Sequence, residues 1–118
     1  MAVAVQNYEG ARDELTRQRF SNVALLAMRS LEQMVEACAA KRGLHFHDKP
    51  RTAHKERRSW LFRNHSDLVR SWDSLWEIYG ALGYSGLDGE RAKKTVETLG
   101  RVLVELARRE KIDAAGLR

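Results

Sequence analysis

The sequence predicts an all-α protein: a single up-and-down antiparallel bundle of four to five helices formed by residues 1–118 as one domain. Three observations carry this. Apolar residues recur at spacings of three and four along most of the chain, and no segment alternates apolar and polar residues as a half-buried strand does. The lone proline, Pro50, falls in a stretch with no helical period. At 118 residues the chain is one domain's length, enough to bury roughly two-thirds of its unfolded surface.

The first helix is expected from Val5 to about Gln18, where Tyr8, Ala11 and Leu15 share a face; Gly10 weakens it by about 1 kcal/mol relative to alanine. Ser21 or Asn22 can cap the second helix by accepting first-turn amides. Its apolar stripe is Ala24, Ala27, Met28, Leu31, Met34, Val35 and Cys38, with Arg29, Glu32, Gln33 and Glu36 on the polar side. Lys41 and Arg42 suit the negative end of its dipole, and Gly43 supplies a C′ stop. Residues 44–52 (LHFHDKPRT) read as the main loop. A third helix restarts near Thr52 and runs through AHKERRSWLFRN until Asn64 and His65 break it, and Ser66-Asp67 offers a fresh cap. The fourth follows Leu68, Trp72, Leu75, Trp76, Tyr79 and Leu82 into a turn containing Gly80, Gly83, Gly86 and Gly89. Asp88 caps the last helix, which buries Ala92, Val96, Leu99, Leu103 and Leu106; residues 113–118 are expected to fray.

Composition excludes several classes. With 43% hydrophobic residues the chain is too apolar for wholesale disorder, and its single cysteine closes no intramolecular disulfide. The most apolar stretch, Val23 to Ala40, holds Arg29, Glu32 and Glu36, so no membrane span is expected. The start, MAVAVQNYEG, lacks the basic and apolar regions of a signal peptide, so the expected setting is the cytoplasm.

Few side chains point to catalysis. Cys38 lies on an apolar stripe, where cysteine behaves as a small hydrophobe rather than a nucleophile. His45, His47, Asp48 and His54 match no metal-ligand signature and read as a solvated loop; no metal and no cofactor are assigned. The glycines after the fourth helix match no phosphate-cradling spacing.

Charge is the sharper signal. The net charge of +5 is concentrated between Lys49 and Arg63, where six bases (Lys49, Arg51, Lys55, Arg57, Arg58, Arg63) accompany one acid, Glu56. A one-sign surface repels itself unless something anionic meets it. The six bases, with His54, are expected to contact phosphates, and Trp60 either to stack on a base or, with Leu61, to anchor the bundle. The alternatives are a plainly solvated face, and a structural or antitoxin-like interaction module whose basic face docks an acidic protein. A second possibility is metal-independent RNA cleavage. Arg58 and His65, two helical turns apart, would then act as the phosphorane-stabilising cation and the general acid or base.

The order of elements resembles the HEPN-like helical bundles of prokaryotes. The match is carried by the Ala- and Leu-rich second helix (SNVALLAMRSLEQMVEACAAKRG), the histidine-and-base segment (PRTAHKER), a helix running into a Gly-rich turn (LWEIYGALGYSG) and the long closing helix (ERAKKTVETLGRVLVELA). The resemblance implies an up-and-down bundle, commonly a homodimer, in a family linked to RNA cleavage, nucleotide binding and toxin–antitoxin partnerships. Active members carry an arginine, a polar follower and a histidine four to six positions on. Here Tyr84 has neither an arginine before it nor a histidine after it, and Arg63-Asn64 is followed by Leu68, Val69 and Arg70. Only Arg58, with Ser59 and His65, meets the loosest spacing. The resemblance therefore implies a non-catalytic member, and the charge pattern adds the expectation that it binds RNA or a nucleotide through residues 49–63.

Overall fold

A computed structural model describes residues 1–80 and 88–113, and every regular element among them is helical. The helices are α1 (Ala2–Thr16), α2 (Phe20–Ala40), α3 (Ala53–Asn64), α4 (Val69–Gly80) and α5 (Gly89–Glu110), with a single 3₁₀ turn at Ser66–Leu68 leading into α4. No described helix is long and apolar enough to cross a membrane.

α2 is the axis of the bundle and touches each of the other four helices. Its stripe is fully buried (Ala24, Ala27, Met28, Leu31, Met34, Val35 and Cys38), and α5 meets it with Leu99, Leu103 and Leu106. Directions follow from the contacts. Ser30 Oγ donates to the Ala4 carbonyl while Leu26 packs on Gly10, so α1 and α2 are antiparallel. Phe20 lies against Gly89 and Arg42 against Glu110, so α2 and α5 run the same way. α4 lies antiparallel to α5: Asp67, just ahead of α4, accepts from Arg109 near the end of α5 (2.8 and 2.7 Å), while Ile78 near the end of α4 shares a pocket wall with Arg91 near the start of α5. Thus α1, α2, α4 and α5 alternate as an up-and-down bundle. α3 is laid along α2 in the same direction, because residues 41–52 carry the chain back before it restarts.

Helix ends follow backbone chemistry. At the end of α2 the Leu44 N–H reaches the Ala39 carbonyl (3.1 Å) and the Gly43 N–H the Ala40 carbonyl (3.0 Å). Gly43 sits at φ 75, so the expected glycine stop forms as a Schellman closure. Asp88 Oδ1 accepts the Arg91 N–H at 2.8 Å, as its capping position predicts. Ser21 and Asn22 do not cap. Helix α2 starts at Phe20, because Gln18 turns left-handed (φ 61) and closes α1 with an Arg19 N–H to Glu14 carbonyl bond of 2.9 Å. The chain then re-enters a helix at once. α1 correspondingly spans Ala2–Thr16, earlier than expected. Leu82, Gly83, Tyr84, Gly86 and the expected fraying after Asp113 lie outside the described residues.

Gln18 and Lys111 (φ 56) both adopt the left-handed conformation that costs a side-chain-bearing residue roughly 1–2 kcal/mol. Gln18→Gly and Lys111→Gly are each expected to stabilise the protein by about 0.5–1 kcal/mol after the extra unfolded-chain entropy of glycine is included. The check is a higher urea midpoint at unchanged slope.

Candidate nucleic-acid interface

The Lys49–Arg63 segment is split by the fold into cations that hold the bundle together and cations that face outward. Arg57 belongs to the first kind. It is 8% exposed. Its Nε donates to Glu36 Oε1 at 2.9 Å and its Nη1 to Glu32 Oε2 at 2.6 Å, joining α3 to α2. Glu36 is correspondingly buried rather than on the polar side of α2. Its Oε2 also accepts the Phe46 N–H (3.3 Å) and lies 3.4 Å from His47 Nδ1, so one carboxylate anchors both α3 and the loop before it. Burial acts to raise the Glu36 pKa. Hydrogen bonds from Arg57, Phe46 and His47, with the Arg57 charge, outweigh burial and hold it below its ordinary value.

Arg58 is exposed yet engaged. Its Nε and Nη2 donate to the two Asp73 oxygens of α4 at 2.8 Å each, a bidentate pair that holds the Asp73 carboxyl below its usual range. His65 goes elsewhere. It is buried at the foot of the bundle with Nε2 2.9 Å from Glu110 Oε2, and Arg42 Nη1 lies 3.2 Å from the other Glu110 oxygen. Arg58 and His65 are thus bound to carboxylates on different helices, and the structure does not assemble them into an RNA-cleaving pair.

Trp60 is 1% exposed, in the main core with Leu61, with His65 at a ring separation of 5.7 Å and Arg42 over its ring at 5.5 Å. No base can reach it. The expected stacking role for Trp60 and the expected phosphate contact for Arg57 are both corrected by burial. The cause is geometric: Ala53, Arg57, Trp60 and Leu61 fall on one stripe of α3, which faces α2. His54 is half-buried, its ring stacked on Trp76, and burial lowers its pKa, so the imidazole is neutral at neutral pH and contributes no charge to phosphate binding there.

The outward cations are Lys49, Arg51, Lys55 and Arg63, all exposed and without an ion pair among the described residues. Three of them (Lys49, Lys55 and Arg63) line an open groove of about 470 Å³ between the 44–52 loop and α3, with His45, Thr52 and Ser59 also in its wall and Glu56 its one described acid. The groove offers ammonium, guanidinium and hydroxyl donors to an anion. Its loop wall is braced from behind by Phe46, which is buried and tied to Glu36.

Other candidate chemistry is absent from this surface. Cys38 is buried, and burial, reinforced by the Glu110 charge, pushes its thiol up to about 12, too high for a nucleophile at neutral pH. Among the described residues no group of three or more His, Cys, Asp or Glu side chains is placed to hold a metal ion. Set against family models, curated proteins and solved structures, the chain matches none of them.

Proposed function

We propose that this protein is a non-enzymatic helical bundle of the HEPN-like kind that binds nucleic acid or a nucleotide through the groove between the 44–52 loop and α3, and that it works as a cytoplasmic homodimer. The observation that carries the binding role is the division of the basic segment. Arg57 and Arg58 hold carboxylates, whereas Lys49, Arg51, Lys55 and Arg63 remain exposed without a carboxylate partner among the described residues. Unpaired cations sharing one surface repel one another, and a polyanion relieves that repulsion while releasing its own counterions. The kinship is supported by the all-α bundle and the order of its elements. The cleavage role loses support, because Arg58 and His65 are held apart by Asp73 and Glu110.

The test is fluorescence anisotropy of a short labelled RNA over a range of salt concentrations. Affinity is expected to fall steeply with salt, with a log–log slope of about −0.7 per phosphate contact on a single strand. Combining Lys55→Glu with Arg63→Glu should make that slope shallower by about 1.4 and weaken low-salt binding by about tenfold or more. Binding that ignores salt, or that survives the double reversal, would remove the groove from the account. Recovery of a stoichiometric acidic protein in place of nucleic acid would assign the same cations to a protein partner.

A further inference from the structure

The chain has four histidines, and the fold uses them in two ways. His54 is stacked on Trp76, and His65 is buried with Nε2 on Glu110 and Nδ1 3.4 Å from Arg109 Nη1. His45 and His47 instead stand exposed in the 44–52 loop, their rings edge to face with centres 5.7 Å apart. His45 is part of the wall of the basic groove. His47 reaches α2, where its Nδ1 lies 3.4 Å from Glu36 Oε2, the same oxygen that accepts the Phe46 N–H.

Among the described residues, the charges around this pair come from three elements. The loop supplies Lys49, in the groove wall, and Asp48, next in the chain to His47; α3 supplies Lys55, Arg63 and Glu56 from its side of the groove. α2 supplies Glu36, which also holds Arg57. Imidazole is the side chain whose ordinary titration falls between about pH 5 and 8. Charging His45 adds a fourth cation to the three that line the groove, a change that a bound anion favours. Charging His47 acts on the wall itself. It makes the long contact with Glu36 charge-assisted and so pins the loop to α2 beside Phe46.

We infer that the groove binds the phosphates of its ligand with uptake of protons at His45 and His47, so that its hold tightens as pH falls below neutrality; this rests on the phosphate-binding role proposed above. A bound phosphate favours the charged ring of His45, and by linkage the charged ring favours the phosphate. The loop wall is firmest in the same state, because His47 and Glu36 then carry opposite charges. A phosphate that favours a charged ring over a neutral one by roughly three- to tenfold raises affinity by that factor once the ring is charged in the free protein. His54 and His65, engaged elsewhere, do not line the groove.

The test is binding of a short oligouridylate, carrying a dye insensitive to pH, at about pH 8 and about pH 5.5, a range in which ordinary carboxylates stay ionised. Neither the phosphodiesters nor the uracils of this probe take up protons there, so any proton comes from the protein. Wild type is expected to bind more tightly at the lower pH by roughly three- to tenfold for each histidine charged. Its log–log salt slope should also steepen by about 0.7, the mark of one more phosphate neutralised. Calorimetry in buffers of different ionisation enthalpy should record proton uptake on binding near pH 6.5. His45→Gln should remove the steepening, and His45→Gln with His47→Gln should abolish the gain in affinity and the proton uptake together, with helicity checked by circular dichroism at both pH values. A wild-type affinity that ignores pH, while Lys55→Glu with Arg63→Glu loses binding, overturns the coupling and leaves the groove standing. A gain that survives the double histidine replacement assigns the proton to another group and likewise overturns it. Absence of binding by wild type at both pH values overturns the groove and the coupling together.

Discussion

Replacing Arg57 with methionine is expected to destabilise the protein by about 3–5 kcal/mol, a large part of what a domain of this size has in reserve. The loss comes less from the missing ion pairs than from what remains. Glu36 is 7% exposed and would keep its charge with no cation beside it. The pH dependence follows from the direction of the Glu36 shift. Its pKa in the folded protein lies below the ordinary 4.5, so its contribution is fully present above 4.5 and is lost as pH falls through the lower, folded value. In the variant burial acts with less opposition and Glu36 protonates more readily, so the deficit against wild type should be widest near neutrality and narrow in acid. Adding Glu36→Gln and Glu32→Gln to the variant should recover part of the stability. Urea unfolding across pH checks all three statements, and a neutral-pH loss below about 1 kcal/mol, the range of exposed ion pairs, would show that the cluster is solvated.

Trp60→Ala should cost a similar about 3–5 kcal/mol, through the cavity left among Leu61, His65 and the α2 side chains rather than through any ligand. RNA affinity of the folded fraction should be unchanged, since the ring is sealed from solvent. Trp60→Phe should lose less stability and leave binding equally untouched. Denaturant unfolding and RNA titration on the same samples separate the two effects. A fall in RNA affinity at full helicity would return Trp60 to the binding surface.

These two residues mark where the sequence stops being informative. The bounds of α3, the Gly43 closure and the Asp88 cap are encoded locally, by side chains acting within a turn of themselves, and each appears as expected. Which side of α3 faces inward is not local. Its buried stripe contains an arginine, and the carboxylates that permit this lie 21 and 25 residues earlier on α2. Charge counting along the segment therefore places Arg57 on the surface and leaves Trp60 between ligand and core, whereas the fold buries both. A signal was present in Glu32 and Glu36, one helical turn apart and directed at a helix rich in arginine, but the pairing of those helices had to be known first. His54, by its place in the basic segment, reads as a phosphate contact, and its position against Trp76 depends on α3 and α4 meeting antiparallel, which spacing does not reveal.

The short link between α1 and α2 bears on the order in which the bundle is built. Only Arg17, Gln18 and Arg19 separate these helices, and closing so small a loop takes little chain entropy, so their hairpin is the fastest piece of tertiary structure available. The polar ties are at the other extreme. Arg57 reaches Glu36 across 21 residues, His65 reaches Glu110 across 45, and Lys41 reaches the Glu110 carbonyl across 69. Such distant partners meet only after apolar faces have gathered the chain, so these contacts verify an assembly that others begin. A helix docked one turn out of place along α2 would bury the same kind of leucine but strand a carboxylate. The charges inside this small bundle thus serve as its proofreaders.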